Sequence, residues 1–239
     1  MIEDKKKYKS FHNIPPREYM YFPKGTIELG KTGQFSSLEI KHLLISIFIL
    51  TFAFSFALTK NNIIQAYSYG FNLYNFILGF EKAFLGVVIA FFCHEISHKF
   101  VAQKYHLWSE YRMYSKGIIL AAILGFFTPI VFAAPGAVMF RGKVRLFEMG
   151  RIALAGPLAN IIISIITFYL YIFVFFESAT LNIIFGFICL INAVLATFNL
   201  IPFKSFDGYK IFIWNANVWI ILFLFSLLLL TNIIMRILL

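Results

Sequence analysis

The sequence predicts an all-α, multi-pass membrane protein with about six hydrophobic segments, five or six of them spanning, and one short strand-turn-strand element. Three observations carry this reading. The 239 residues are 60% hydrophobic and only 13% charged, with 31 Phe. Soluble chains run nearer half apolar and a quarter charged, so this one has more apolar surface than a water-soluble core could hide. The apolar residues also fall in uncharged runs at 43–59, 118–134, 152–176, 178–203 and 211–235, with a shorter run at 83–93. Finally, a bilayer core takes about 20 apolar residues as a helix, because lipid leaves backbone groups no other way to be satisfied.

Taken in order, the run at 43–59 is at the short end of spanning length. The run at 83–93 leads straight into the polar cluster His94-Glu95-Ile96-Ser97-His98-Lys99. The third, 118–134, holds the helix breakers Gly125 and Pro129 and is followed by Pro135 and Gly136. Such breakers suit a segment that dips into the membrane and returns, with a kinked spanning helix as the alternative. Irregular backbone at that depth needs protein or a water-filled cavity beside it, so a cavity is expected there. Residues 135–147 read as two short strands about a turn containing Gly142. The runs at 152–176, 178–203 and 211–235 are long enough to span. No apolar run begins near Met1, so no cleaved signal peptide is expected. Residues 1–41 read as a basic N-terminal segment and 42–239 as the transmembrane domain. Cys93 and Cys189 lie inside apolar runs and read as small buried hydrophobes.

The net charge of +10 is informative once it is placed. With six spans and the N-terminus inside, 13 Lys and Arg fall inside and 8 outside; if 118–134 returns to its own side, the split becomes 18 and 3. The second topology satisfies the positive-inside rule far better and puts the N-terminus in the cytoplasm, in a cell-membrane protein. The cluster Lys5, Lys6, Lys7 and Lys9 then reads as an anchor at an anionic inner leaflet rather than a nucleic-acid site. Trp108, Trp214 and Trp219 suit interface belts. Glu148 and Arg151 suit an ion pair at a helix start.

His94, Glu95 and His98 form HExxH on a helix. Residues four apart share a helical face, so both imidazoles can reach one Zn²⁺, and Glu95, turned by about 100°, can act on water at the metal. Ionisable groups in a spanning helix cost at least ~2.5 kcal/mol each and usually mark a pathway or site. Catalytic zinc needs a third protein ligand and an open position. His106, Glu110, Glu148 and Glu177 are weaker candidates, and of the two Asp in the chain Asp4 lies in the N-terminal tail. Asp207 is therefore the expected third ligand. Two crossings after the HExxH helix return it to the same side, which agrees with the charge count.

HExxH, an Ala-Gly-Pro-Leu-Ala-Asn stretch at 155–160 and an NxxPxxxxDG pattern from Asn199 to Gly208 together resemble the site-2 protease family of intramembrane zinc metalloproteases. The likeness covers roughly residues 83–210. It implies a three-helix catalytic core over that range, one Zn²⁺ per chain on His94, His98 and Asp207, and Glu95 as catalytic base. It also implies that Asn199 and Pro202 help place the substrate, and that a membrane-embedded hairpin, here carrying Pro135, Gly136 and Val138, lies beside the active site and pairs with an unwound substrate. The implied activity is regulated intramembrane proteolysis, an endopeptidase acting within or near transmembrane segments of membrane proteins at a site opening to the cytoplasm. No interval between the segments has room for an inserted PDZ or CBS domain. Asn199 could donate to an oxyanion or cap its own helix. Asn160 suits an interhelical hydrogen bond. The competing functional classes are a metal-dependent transporter or channel and an inactive homologue that binds membrane segments. The expected partners are transmembrane substrates and lipid, not nucleic acid; the sequence leaves the oligomeric state open.

Overall fold

Five helices are long and apolar enough to cross a bilayer. The computed structural model describes residues 33–238 other than 60, 130, 132–134, 143, 175 and 176, so the lysine cluster and most of the basic segment lie outside the described residues. The first helix, α1 (Ser37–Leu58), has 22 residues, about 33 Å at 1.5 Å per residue. Ser36 caps it by accepting from the Glu39 N–H at 3.1 Å. A short α2 (Ile63–Tyr69) leads to α3 (Leu73–Val87), which continues through a π turn (Val88–Phe92) into α4 (Cys93–Lys104), making one helix of 32 residues. The run at 83–93 is thus only the middle of a spanning helix. The π turn falls immediately before HExxH, and such widened turns recur at functional sites.

After α4 come β1 (Trp108–Met113), α5 (Ser115–Phe127) and β2 (Gly136–Arg141), then α6 (Leu146–Tyr169), which ends in a second π turn (Leu170–Val174). Helix α7 (Ala179–Asn199), the short α8 (Asp207–Trp214) and α9 (Ala216–Leu238) complete the chain. The last apolar run, 211–235, is therefore not one helix. Asn215 breaks it, and its Oδ1 accepts from the N–H groups of Asn217 and Val218 at 3.1 Å each, starting α9 afresh. Helix α6 packs on α4, α7 and α8; α1 packs on α3, α5 and β1. One apolar cluster, around Leu43, Leu50, Val87, Phe91 and Tyr111, joins α1 to α3 and β1. A second, around Ala153, Ile161, Ala196, Leu200 and Ile211, joins α6, α7 and α8.

The sheet differs from the expected hairpin. Only Gly136–Arg141 of the 135–147 stretch is a strand, and its antiparallel partner is β1, 22 residues upstream of it, in register Tyr111↔Val138 and Met113↔Gly136. The last two residues of the stretch, Leu146 and Phe147, begin α6 instead. The Arg145 backbone N–H donates to Glu148 Oε2 at 2.8 Å and its guanidinium to Glu148 Oε1 at 2.7 Å, so the Glu148 carboxylate alone does the accepting where the helix starts at Leu146. Glu148 is thereby paired with Arg145 rather than Arg151, which donates to the Tyr105 hydroxyl at 3.3 Å. Because Met113 faces Gly136 and the Tyr114 N–H donates to the Pro135 carbonyl at 2.8 Å, the intervening segment leaves the sheet and returns to it. Its helix α5 has 13 residues, about 20 Å, too short for a bilayer core of about 30 Å.

Alternation along this ladder sets which strand edges point where. The Tyr114–Pro135 bond puts 135, 137, 139 and 141 towards β1, so Gly136, Val138 and Phe140 turn their backbone groups outward. The outer edge of β1 is covered by α1: the Tyr111 N–H donates to Glu39 Oε1 at 2.9 Å and the Met113 N–H to His42 Nδ1 at 3.4 Å.

Charge is buried at this junction. Lys99 Nζ donates to Glu39 Oε2 at 2.5 Å, with both side chains essentially inaccessible, and lies 4.3 Å from the Phe35 ring centre. Ser36 Oγ donates to Glu110 Oε2 at 3.0 Å, and Glu110 pairs with Arg112. These pairings offset much of the cost of burying the mixed-charge β1, although Arg112 Nε is buried without a hydrogen-bond partner among the described residues. Trp108 lies with them, 7% exposed, and is a packing residue rather than an interface anchor. Glu39→Ala should cost about 3–5 kcal/mol by stranding the Lys99 ammonium. The double variant Glu39→Leu/Lys99→Met should lose much less, as read from unfolding midpoints in detergent.

Candidate metal centre

The His-x-x-x-His spacing sets two imidazoles on one face of α4, with ring centres 4.7 Å apart. Asp207 is the first residue of α8, where the exposed N–H groups of a helix start favour a carboxylate. The turn between α7 and α8 is fixed at Leu200. Its carbonyl accepts from Trp219 Nε1 at 2.7 Å, and Gly208 passes so close to that carbonyl that no side chain would fit. This brings Asp207 Oδ2 to 2.9 Å from His98 Nε2 and 3.4 Å from His94 Nε2. All three side chains are buried, and one ligand atom from each lies within 4.8 Å of the others.

The hydrogen bonds behind the rings determine what they present in front. His98 Nδ1 lies 2.7 Å from the Ile152 carbonyl, which can only accept, so the proton is on Nδ1 and the Nε2 lone pair is exposed. His94 Nδ1 lies 2.5 Å from Asn160 Oδ1. The Asn160 amide is oriented by donating at 2.9 Å both to the Ala90 carbonyl and to Asn192 Oδ1, so its oxygen is the atom facing His94. The two Nε2 atoms stand 3.0 Å apart, with a carboxylate against both. Lys210 Nζ, 3.1 Å from Asp207 Oδ1, favours the ionised carboxylate. Three electron-pair donors facing one point are stable together around a cation. Two imidazole nitrogens and one carboxylate oxygen are a donor set that suits Zn²⁺.

A cavity of about 70 Å³ opens on these atoms, room for a few waters. It is lined by Glu95, Asn199, Ser205 and Lys210 together with Gly136, Val138 and Phe140 of β2. Glu95 is 7% exposed. The Val138 backbone N–H donates to its carboxylate, while its Oε2 is buried without a hydrogen-bond partner among the described residues. A buried carboxylate oxygen left unpaired is costly and fits an atom that exchanges protons with water at the site.

Sequence and structure can be compared residue by residue. His94, Glu95, His98 and Asp207 converge, and Gly136, Val138 and Asn199 border the same cavity. Asn199 Nδ2 donates to the Leu195 carbonyl at 3.0 Å, within its own helix. Pro135 instead lines a neighbouring apolar cavity of about 170 Å³, with Phe91 and Phe198. Pro202 is exposed in the turn before α8. Of the weaker ligand candidates, Glu110 and Glu148 are tied to arginines. The acceptors behind the histidines are what sequence reasoning missed. Asn160 left a trace, as a polar side chain within an apolar run; the Ile152 carbonyl, being backbone, left none.

A helical bundle of spanning length that buries an HExxH pair against an aspartate defines a multi-pass membrane protein with a metalloprotease-type site. Comparison with known proteins agrees. The chain is 37% identical over 192 residues to a protein of Methanocaldococcus jannaschii named "Putative zinc metalloprotease", covering 79% of this chain and 90% of the relative. The chain belongs to that zinc metalloprotease family. No protein-family model matches it, and no solved structure does.

Two substitutions probe the frame of the site. The α6 backbone crosses the imidazoles at Gly156, where an added Cβ would stand 2.7 Å from His94 Cε1. Gly156→Ala should therefore displace the rings and empty the site, as measured by zinc content after dialysis. Asn160→Ala, which removes the acceptor behind His94, should weaken zinc binding roughly 10–100-fold in a chelator competition.

Proposed function

We propose that this chain is an intramembrane zinc endopeptidase that hydrolyses peptide bonds within or near transmembrane segments of membrane proteins, in the manner of regulated intramembrane proteolysis. The observation that carries the reading is the orphaned Glu95 oxygen beside three converging donors, in a cavity bordered by a strand edge. His94 and His98 through Nε2, and Asp207 through Oδ2, would hold one zinc per chain. When bound there, zinc supplies Lewis acidity, polarising a peptide carbonyl and lowering the pKa of water towards ~7.

The protein's own residues do the rest. Glu95 takes a proton from the attacking water on its unpaired oxygen and returns it to the leaving amine. Its other interaction, with the Val138 N–H, keeps the carboxylate aimed at the cavity. Asn160 and the Ile152 carbonyl hold the Nδ1 protons and keep both rings as ligands. The outward backbone groups of Gly136 and Phe140 and the Val138 carbonyl, the Val138 N–H being held by Glu95, offer an extended substrate a strand to pair with, binding it by main chain and therefore with tolerance for sequence. An intrahelical peptide bond is already hydrogen-bonded, so unwinding onto β2 is what exposes it. Asn199, at the end of α7, borders the cavity on another side, and Pro202 follows it on the exposed turn into α8. The split of Lys and Arg supports a cytoplasmic N-terminus and a site opening to the cytoplasm in the cell membrane.

Purified protein incubated with a panel of single-span membrane proteins should cleave at least one of them, and a chelator should stop it. Glu95→Gln should abolish cleavage while retaining stoichiometric zinc; chelator-insensitive cleavage would exclude the zinc mechanism. Val138→Pro, which removes the N–H holding Glu95 and distorts the strand edge, should impair cleavage of a membrane substrate far more than zinc binding, and an equal loss of both would count against a role for this edge in cleavage.

A further inference from the structure

Among the described residues lining the cavity, one carries a fixed positive charge: Lys210. It sits three residues after Asp207 in the first turn of α8, so the two side chains share one side of that helix. The two oxygens of Asp207 have different partners. Oδ2 faces the imidazoles, at 2.9 Å from His98 Nε2 and 3.4 Å from His94 Nε2, whereas Oδ1 is held by Lys210 Nζ at 3.1 Å. A surface i,i+3 pair would be worth little, but this one is sheltered, the Asp207 side chain being 11% exposed and that of Lys210 30%. An unconstrained carboxylate can grip a cation with one oxygen or with both. Gripping with both would occupy the place that a catalytic zinc site keeps open.

We propose that Lys210 is a positioning residue that reserves Oδ1 of Asp207, so that the aspartate serves as a one-oxygen ligand and a coordination place stays open for water and the scissile carbonyl. This inference rests on the zinc reading of the site. The link is local to one helical turn, so it is set by α8 itself and persists when substrate enters. Outer partners of this kind orient ligands and tune metal affinity.

The test uses the full-length protein in detergent, loaded with Co²⁺ for visible spectroscopy and separately titrated with Zn²⁺ against a chelator. In Lys210→Met the cobalt bands should lose intensity as the coordination number rises, and zinc affinity should rise, because Asp207 can then grip with both oxygens and a positive charge beside the cation is gone. Lys210→Arg should keep both near the wild-type values. Unfolding midpoints of the metal-free proteins should agree, and Lys210→Ala, read in parallel, decides the matter if Lys210→Met does not fold. An unaltered cobalt spectrum and zinc affinity in the folded neutral variants would overturn the proposal alone. Failure of the wild-type protein to bind either metal would overturn the zinc reading and the proposal with it.

Discussion

Two imidazole lone pairs and a carboxylate turned towards one point, in an interior with little water to screen them, form the constraint on which the rest of the structure depends. Such an arrangement repels itself unless a cation shares it, and it persists only if each donor is held from behind. The holding groups come from three different elements. Asn160 and the Ile152 carbonyl belong to α6, the Ala90 carbonyl that orients Asn160 comes from the π turn, and Asn192, on α7, takes the remaining Asn160 proton. Helix α6 is therefore more than a neighbour of the HExxH helix. It supplies the acceptors for both rings and, at Gly156, the space in which they lie.

A second consequence of placing this chemistry at depth is the cost of every other polar group that must accompany it. The β1–β2 sheet needs its strand edges satisfied, and the two edges are treated differently. Glu39 and His42 of α1 cover that of β1. That of β2 borders the cavity, where the Val138 N–H meets Glu95. The ion pair between Glu39 and Lys99 then joins α1, through β1, to the residue following His98. A single buried network thus links the helix carrying His94 and His98 to the strand facing Glu95.

How much of this was legible depended on the range of the interaction. Spanning segments and the HExxH face follow from local composition and helical periodicity, and the structure agrees with them; the third apolar run folds as a helix too short to span. The helix 73–104 extends further than its apolar centre because Asn72 caps it well before hydropathy rises. The two-stranded sheet was foreseen but one of its strands was misplaced, because 135–147 does alternate locally, yet the Arg145–Glu148 cap starts a helix at Leu146, and the true partner, carrying Glu110 and Arg112, looks like solvent-facing sequence until those charges find each other. The break at Asn215 was masked by apolar residues on both sides, since hydropathy does not register an amide that caps a helix.

The sequence by itself determined the membrane, the number of crossings that returns Asp207 to the side of His94 and His98, and the identity of the groups that meet there. These follow from hydropathy, charge placement and the scarcity of acidic residues, all readable without knowing any contact. Tertiary structure alone decided which atoms face the site: Nε2 rather than Nδ1 of each histidine, Oδ2 rather than Oδ1 of Asp207, and the outer rather than the inner edge of β2. Those choices rest on hydrogen bonds spanning 54 to 66 residues and on a strand register set by folding. They depend on direction as well as residue type, and direction exists only once the helices have packed.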